Sequence, residues 1–145
     1  MRVRFIKVTD THPLRLLVLR PGGTQEDVEF ANDRLAGAFH LGVFVSIETV
    51  CVASFYPEKN DTLRGWKQYR LRGMATHPDH RSRGAGEKLM RFAMDHLHAQ
   101  NADLLWCNAR IKAVPFYERL GLVVVGDAFE IAGIGTHYLM QRRIP

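Results

Sequence analysis

The chain has 145 residues, of which 46% are hydrophobic and 24% are charged, and this composition is typical of one soluble globular domain. No apolar run approaches the ~18–20 residues that a membrane-spanning helix needs, and the charged residues 1–7 do not resemble a signal peptide. The two cysteines, Cys51 and Cys107, lie in apolar runs. We therefore expect reduced, buried thiols in a cytoplasmic protein that has no membrane partner.

The formal net charge of +5 indicates an anionic partner. Nucleic acid, a phosphorylated cofactor and an acidic substrate are all compatible with that charge. The charged residues are spread along the chain without a block of like charges. A local anion site, together with charge that serves solubility, is therefore preferred over a broad basic binding face.

The first half of the chain predicts a strand, a helix and a hairpin. Alternation predicts a strand over residues 2–8, and a cap at Asp10 or Thr11 predicts a helix that ends at Pro21-Gly22-Gly23. A second capping pattern predicts a short helical turn over residues 25–30. The hairpin strands are predicted over residues 39–47 and 50–55.

The second half predicts alternating strands and helices. Strands are expected over residues 69–76, 104–107, 122–125 (with an extension to 129) and 136–141, and helices over residues 87–100 and 113–120. The first of these helices is expected to bury Leu89, Met90, Ala93, Met94 and Leu97. Antiparallel hairpins followed by a βαβ unit predict one mixed-sheet α/β domain over residues 1–145.

A loop with two arginines and two glycines, Arg81-Ser82-Arg83-Gly84-Ala85-Gly86, joins a predicted strand to a predicted helix. Glycines let backbone N–H groups approach an anion closely, and the helix N-terminus adds its own unpaired N–H groups. The arginines add charge-assisted contacts. The loop therefore predicts a phosphate site, although a basic helix cap would have a similar sequence. It is neither a P-loop nor a dinucleotide fingerprint, because both of those glycine patterns are missing.

Two motifs occur together in the region from residue 69 to residue 125. The first is a strand–Arg-x-x-Gly-x-Gly–helix unit with Arg81, Gly84 and Gly86 at its fixed positions. The second is Asn108 on a strand, followed by the run Phe116-Tyr117-Glu118-Arg119-Leu120-Gly121-Leu122. As a pair, the motifs resemble those of the GNAT superfamily of acyl-CoA-dependent N-acyltransferases.

The resemblance implies a mostly antiparallel sheet, flanked by helices, in which two central parallel strands splay apart into a V. The pantetheine arm of acetyl-CoA would enter that V. The implied donor contacts come from Met74, Ala75, Thr76, the loop Arg81–Gly86, Asn108 and Phe116. Tyr117 matches the tyrosine that protonates the leaving thiolate, and a phenol near a thiolate suits that role. Without the resemblance, Tyr117 would be interpreted as a packing residue between helix and sheet.

The base that would deprotonate an attacking amine is not identified by the motifs. Many family members carry a glutamate on the strand before the pyrophosphate loop, whereas residues 69–76 contain no acid. Glu130 and His137 are the candidate substitutes by position. His137 has the pKa range of a base near neutrality. A solvated or structural role is the alternative for both residues.

Neither a metal site nor a cysteine nucleophile is expected from the remaining histidines and cysteines, and the arginines have two possible roles. No metal is expected, because His96 and His98 would point to different sides of a helix, and neither cysteine is expected to act as a nucleophile. Four arginines either bind an acidic group of the acceptor or form a solvated basic face, and the basic face is the preferred interpretation; they are Arg15, Arg20, Arg70 and Arg72.

Taken together, these patterns predict transfer of an acetyl group from acetyl-CoA to a primary amine by direct attack in a ternary complex. The first alternative is a non-catalytic acyl-CoA-binding module, which the missing strand acid suggests. The second is a nucleic-acid-binding domain, suggested by the net charge and by Trp66 and Tyr69 among arginines. We expect no nucleic-acid partner. A C-terminal edge strand would be available for pairing in a homodimer.

Overall fold

The computed structural model describes residues 1–145, and its centre is one seven-stranded sheet. The strands follow the order β1-β2-β3-β4-β5-β7-β6, and the β4–β5 pair is the only parallel one. Their bounds are Arg2–Ile6 (β1), Phe39–Val45 (β2), Glu48–Pro57 (β3), Gln68–Thr76 (β4), Leu104–Arg110 (β5), Val123–Ile131 (β6) and Gly135–Arg143 (β7). The mixed, mostly antiparallel α/β architecture predicted from the sequence is confirmed.

Three helices accompany the sheet. The first, α1 (His12–Leu14), follows a 3₁₀ turn (Val8–Thr11) and continues as a π-helical turn (Arg15–Leu19). The others are α2 (Ala85–Ala99) and α3 (Val114–Arg119), and further 3₁₀ turns cover Glu26–Val28, Pro78–His80 and Ile111–Ala113. No helix combines the length and the apolar composition that crossing a bilayer requires.

The main core lies between the sheet and α2. Leu89, Met90, Ala93 and Leu97 are buried as predicted, whereas Met94 is only half-buried at the margin of this core. A smaller cluster packs α1 on the opposite face of the sheet, where Leu14 contacts Val52 and Ala75. Helices therefore cover both faces of the strands that form the site.

Two strands are longer than their apolar runs indicate. β5 was expected to end at Cys107, but it pairs with β7 from Leu104↔Arg143 to Arg110↔His137. β6 was expected to end between Val125 and Phe129, and it continues to Ile131 through pairing with β7. Ladder hydrogen bonds hold polar residues in a strand as well as apolar ones, so hydrophobicity alone placed both ends too early.

The parallel strands β4 and β5 separate partway along their length. Their pairing covers only Gln68↔Leu104, Tyr69↔Leu105 and Arg70↔Trp106, although both strands continue beyond it. A bulge accompanies the separation, because the β3–β4 register shifts between Val52 and Ser54. Gly73 in the bulge has a φ of +69°, which a side chain would strain. The expected V-shaped splay is thus present, and backbone groups along its two edges lack a ladder partner.

Candidate active site

A cavity of about 390 Å³ occupies the gap between β4 and β5. Its walls come from β4, β5, α3, the end of the π-helical turn and the β6–β7 turn. A larger depression of about 690 Å³ lies elsewhere, and its lining includes Met90, Asp95, Arg119, Leu122 and Arg142. The end of the second motif, Arg119–Leu122, borders that depression, but Asn108, Phe116 and Tyr117 do not. The site is therefore placed in the gap, whose wall contains these three residues.

The loop Arg81–Gly86 leads directly into the N-terminus of α2. The backbone is left-handed at Ser82 (φ 60°) and at Gly84 (φ 83°). No side chain caps the helix, so the first N–H groups of α2 are free to meet an anion. Arg81 and Arg83 are exposed, and neither takes part in the ion pairs of the chain. The loop therefore has the backbone geometry and the free charges that a phosphate requires.

The two glycines of this loop are needed for different reasons. Gly84 has a positive φ and open space around it, so its backbone conformation is what excludes a side chain. A Cβ at Gly86 would lie 3.0 Å from the ring atom Cζ of Phe116. Gly86 thus lets α2 approach α3 closely, which holds the loop next to the cavity wall that Phe116 forms.

Tyr117 is the polar group of α3 that reaches the cavity. Its side chain is 6% exposed, and its hydroxyl makes no hydrogen bond within the chain. Burial raises the pKa of Tyr117 well above its ordinary value, and the nearby Cys107 and Cys51 thiols act in the same direction. The phenol therefore keeps its proton throughout the neutral range and is able to donate it into the gap.

His137 lies on β7 and also lines the cavity. Its Nδ1 is 2.7 Å from the backbone oxygen of Gly135. Because a carbonyl oxygen only accepts, Nδ1 must carry the hydrogen, and in the neutral ring Nε2 is the acceptor. The structure thus brings an acceptor nitrogen and the donor Tyr117 to one cavity.

Glu130, the other candidate base, lies outside that cavity. It is exposed on β6, and its carboxylate accepts a hydrogen bond from the Thr136 hydroxyl. It is not among the residues that form the cavity wall.

The remaining donor candidates lie on the two edges of the gap. Met74 and Asn108 line the cavity, and the Asn108 amide makes no hydrogen bond within the chain. Thr76 donates its hydroxyl to the Cys51 sulfur at 3.3 Å, whereas the Ala75 side chain is buried on the α1 face. Backbone contacts to a ligand are thus open to this segment, and Asn108 has a free side-chain amide beside it.

Neither thiol is poised as a nucleophile. Burial raises the pKa of Cys51 to about 11 and that of Cys107 to about 12. At neutral pH both are therefore protonated, which agrees with the inert core role expected from the sequence. No group of three or more His, Cys, Asp or Glu side chains is arranged so that it could hold a metal ion.

The interpretation of the arginines as a solvated basic face was wrong for Arg15. Its side chain is completely buried and forms an ion pair with Asp33 at 2.7 Å. Arg70 is paired with Glu58 at 3.1 Å. Only Arg20 and Arg72 of the four line the cavity without an acidic partner. The sequence signal for Arg15 was its position beside Leu14, on the helix face that turns toward the sheet.

Several cavity residues were not singled out from the sequence. They are Leu19, Phe30, Arg110, Ala113, Ile131 and Ile134. Most belong to turns or short helices that reach the gap only through tertiary packing. Arg110 is the exception that a pattern would have revealed, because residues i and i+2 of a strand share a face and Asn108 was already a candidate.

Comparison with known structures defines the fold class. The chain superposes with a TM-score of 0.81 on the crystal structure of an aminoglycoside 6′-N-acetyltransferase complexed with coenzyme A, at 12% identity over 100% of this chain and 98% of that one. It superposes with a TM-score of 0.75 on the ribosomal-protein-S18-alanine N-acetyltransferase from Escherichia coli, at 18% identity over 99% of this chain and 93% of that one. At such identities the likeness shows the fold alone.

Sequence relationships define the family. Residues 26–143 match the acetyltransferase (GNAT) domain family. Over 144 residues the chain is 37% identical to the uncharacterized N-acetyltransferase YitI of Bacillus subtilis (strain 168), which covers 99% of this chain and 97% of that protein. The chain therefore belongs to the GNAT acetyltransferase family. The prediction of an acyltransferase enzyme that uses acyl-CoA is confirmed at the level of the family.

Proposed function

We propose that the protein transfers an acetyl group from acetyl-CoA to the primary amine of an acceptor by direct attack in a ternary complex. The observation that carries this proposal is the shared cavity of Tyr117 and His137 in the gap between β4 and β5. A proton donor and a proton acceptor therefore face the space where the resemblance would seat the thioester. Cytoplasmic location, a homodimer and the absence of a nucleic-acid partner stay predictions.

We assign the donor side of the site to Met74–Thr76, Arg81–Gly86, Asn108, Phe116 and Tyr117. In this assignment the free N–H groups of α2 and the two loop arginines hold the pyrophosphate. The pantetheine amides bond the unpaired backbone edge of β4 beyond Arg70 and the free amide of Asn108. No metal is needed for any of these contacts.

In the chemical step one side chain accepts a proton and another donates one. The neutral amine attacks the thioester carbonyl carbon while Nε2 of His137 accepts an amine proton, so a C–N bond forms. The tetrahedral intermediate then collapses, the C–S bond breaks, and Tyr117 donates its proton to the leaving thiolate. Imidazolium and tyrosinate return to their starting states by proton exchange through solvent.

The first experiment measures donor binding and transfer separately. Titration calorimetry is expected to show acetyl-CoA binding in the submillimolar range, and release of the free thiol is expected when a reactive amine is added. The absence of any heat of binding for acetyl-CoA and CoA would refute the proposal. Binding without transfer across a broad amine panel would favour the non-catalytic alternative.

The role of His137 is tested by substitution. His137→Gln removes the imidazole nitrogen that accepts the amine proton, so kcat should fall by about 10²–10⁴ while the acetyl-CoA dissociation constant changes little. Glu130→Gln is the matched comparison, because Glu130 is exposed and outside the cavity, and it should leave kcat unchanged. A His137→Gln protein that keeps the wild-type kcat would refute the assignment of His137 as the base.

A further inference from the structure

Three arginines of the cavity have no acidic partner. Arg72 is half-buried, and its guanidinium makes neither a hydrogen bond nor an ion pair within the chain; the guanidinium of Arg110 likewise makes none. The guanidinium of Arg20 donates only to the backbone oxygen of its neighbour Leu19, at 2.8 Å. The wall of the cavity contains no aspartate or glutamate at all. Positive charge therefore accumulates there without compensation from the protein.

Neighbouring arginines show that the chain pairs such charges elsewhere. The guanidinium of Arg15 is held by Asp33, and that of Arg70 by Glu58. Burial lowers the pKa of Arg72, and the adjacent positive charge of Arg70 adds to that effect. Burial also lowers the pKa of Arg110, with Arg20 as the neighbouring charge. An anion in the cavity would relieve the desolvation and the repulsion together.

The three arginines lie apart from the proposed pyrophosphate loop. Arg72 shares a strand face with Arg70, which packs over the Trp106 ring at 5.1 Å on the side away from α2. Along β4, Arg72 is roughly 13 Å from Thr76, where the strand ends before the loop. The donor phosphates are thus accounted for at α2, and the cavity arginines are left for a different anion.

The position of Arg72 is fixed by an aromatic ring. Its guanidinium carbon lies 4.1 Å from the centroid of the Phe30 ring, and that of the buried Arg15 lies 3.9 Å from the same centroid. Because Arg15 is anchored by Asp33, the Phe30 ring that contacts Arg72 is itself held by a fixed cation. Arg72 is therefore pre-organised, so little ordering remains to oppose anion binding.

His137 lies next to this positive cluster. Arg110 and His137 are direct partners in the β5–β7 ladder, so their Cβ atoms are about 5 Å apart. One small molecule is thus able to present an acidic group to the arginines and an amine to the imidazole. We name Arg20, Phe30, Arg72, Arg110 and His137 the acceptor side of the cavity.

We propose that the acceptor is an anionic amine, whose carboxylate or phosphate is bound by Arg20, Arg72 and Arg110 while its amino group faces His137. This inference rests on the proposed function, since it names the substrate class of the same site. The shared chemistry is an acidic oxygen group carried by the amine. Carboxylate and phosphate acceptors are distinguished by the experiments below.

The binding test does not depend on turnover. Inorganic phosphate and acetate are titrated separately into protein saturated with CoA, so that the pyrophosphate loop is already filled. The side-chain ¹⁵Nε signals of Arg72 and Arg110 are expected to shift saturably with at least one anion. Arg72→Gln should abolish the response of Arg110, and Arg64→Gln, at an exposed loop arginine, should leave it intact. Unsaturable or absent shifts in the wild type would overturn the inference.

The kinetic test uses amines matched in all but the acidic group. O-phosphoethanolamine is compared with ethanolamine, and 5-aminovalerate with pentylamine. We expect kcat/KM about 10- to 100-fold higher for at least one anionic member, and a loss of that preference in Arg72→Gln and in Arg110→Gln. Circular dichroism verifies that each variant is folded, and the second variant keeps the test valid if the first is not.

The outcomes separate this inference from the proposed function. Saturable anion binding at Arg72 without any acetyl transfer would refute the enzyme mechanism and leave the anion site standing. Acetyl transfer that favours the neutral amines, or that Arg72→Gln reduces equally for both members of a pair, would refute the anionic acceptor alone. No binding of acetyl-CoA would refute the proposed function before the acceptor is considered.

Discussion

The two sides of the cavity are built in different ways. The donor side comes mainly from one continuous stretch, in which β4, the loop Arg81–Gly86 and the start of α2 follow each other directly. The acceptor side is assembled from distant segments, among them Arg20, Phe30, Arg110 and His137. A binding site made by local backbone geometry is readable as a motif, whereas one made by tertiary packing is not. For this reason the class of acyl donor was recognisable from the sequence, whereas the class of acceptor was not.

A buried polar network supports the acceptor side. Arg15 donates to both carboxylate oxygens of Asp33, at 2.7 and 3.0 Å, and to the Ser54 hydroxyl at 2.8 Å. Tyr56 donates to the same carboxylate, and His40 lies 2.6 Å from the Ser54 hydroxyl. These bonds tie the start of the π-helical turn and the segment before β2 to the centre of β3. The network thereby holds Phe30, which contacts Arg72, in place.

The ionisation of this network follows from its hydrogen bonds. Burial raises the pKa of Asp33, but the bonds from Arg15, Tyr56 and the Phe30 N–H outweigh burial, so the pKa is lowered overall. Nε2 of His40 is 3.0 Å from the backbone oxygen of Asp33 and must donate to it, so Nδ1 accepts the Ser54 proton. Both ring nitrogens are satisfied in a neutral imidazole.

The largest effect is expected on the donor side, at Tyr117. Tyr117→Phe removes the proton donor but keeps the ring, so kcat should fall by about 10²–10⁴ while the acetyl-CoA dissociation constant changes little. Steady-state kinetics and calorimetry give the two values. Equal losses in turnover and in affinity would mean that Tyr117 has a structural role.

The next largest effect is expected beneath the acceptor side, at Arg15. Arg15→Met leaves the Asp33 carboxylate buried and unpaired, which should lower the free energy of unfolding by about 3–5 kcal/mol. Urea denaturation measures this change in the free energy of unfolding. Arg91→Met is the control, since Arg91 pairs with Glu87 on the exposed face of α2 and should cost less than about 1 kcal/mol.

Arg15→Met should also affect the two sides of the cavity differently. In folded Arg15→Met protein, the anion response at Arg72 should weaken while acetyl-CoA affinity is retained, because only Phe30 and its neighbours lose their anchor. Calorimetry with each ligand measures the difference. A parallel loss of both affinities would show that the two sides are not separately built.

A smaller effect is expected at Gly86 on the donor side. Gly86→Ala places a Cβ 3.0 Å from Phe116, and the resulting overpacking should cost about 1–3 kcal/mol of unfolding free energy and weaken acetyl-CoA binding. The double variant Gly86→Ala/Phe116→Leu makes room for the methyl group. Its stability should exceed the sum of the single effects, and strict additivity would contradict the contact.

The smallest effect is expected from the ionisation of His40. Burial lowers its pKa, so the unfolded chain binds a proton that the folded chain does not. Its contribution to stability is therefore complete above a pH of about 6.5 and is lost as the pH falls below that value. Denaturation curves at several pH values should show a shallower decline for His40→Asn than for the wild type, and an identical decline would contradict this account.

Much of the fold was predictable because its signals are local. Two strand-like runs joined by a compact turn marked the β2–β3 hairpin, and the glycines around Arg83 marked the strand–loop–helix unit. Strand ends were less predictable, since β5 continues through Asn108 to Arg110 because it pairs with β7 there. Pairing with a distant strand leaves no trace in the hydrophobicity of the segment itself.

The residues of the candidate site likewise divide into those that a local pattern predicted and those that only tertiary contacts place there. Asn108 and Tyr117 were found from their spacing along the chain, and the structure places both at the gap. Arg15 was misread because its partner Asp33 lies 18 residues away and nothing in the sequence links the two. Phe30 was missed because an aromatic residue in a turn region has no pattern that points to a cavity.

A crystal structure with acetyl-CoA bound would decide whether the gap between β4 and β5 is the active site. The pyrophosphate should lie at Arg81–Gly86 on the N-terminus of α2, and the pantetheine should run between β4 and β5. The thioester sulfur should lie within hydrogen-bond reach of the Tyr117 hydroxyl, with His137 and the arginines on the far side of the acetyl group. Coenzyme A bound outside the gap, or a sulfur remote from Tyr117, would contradict the account.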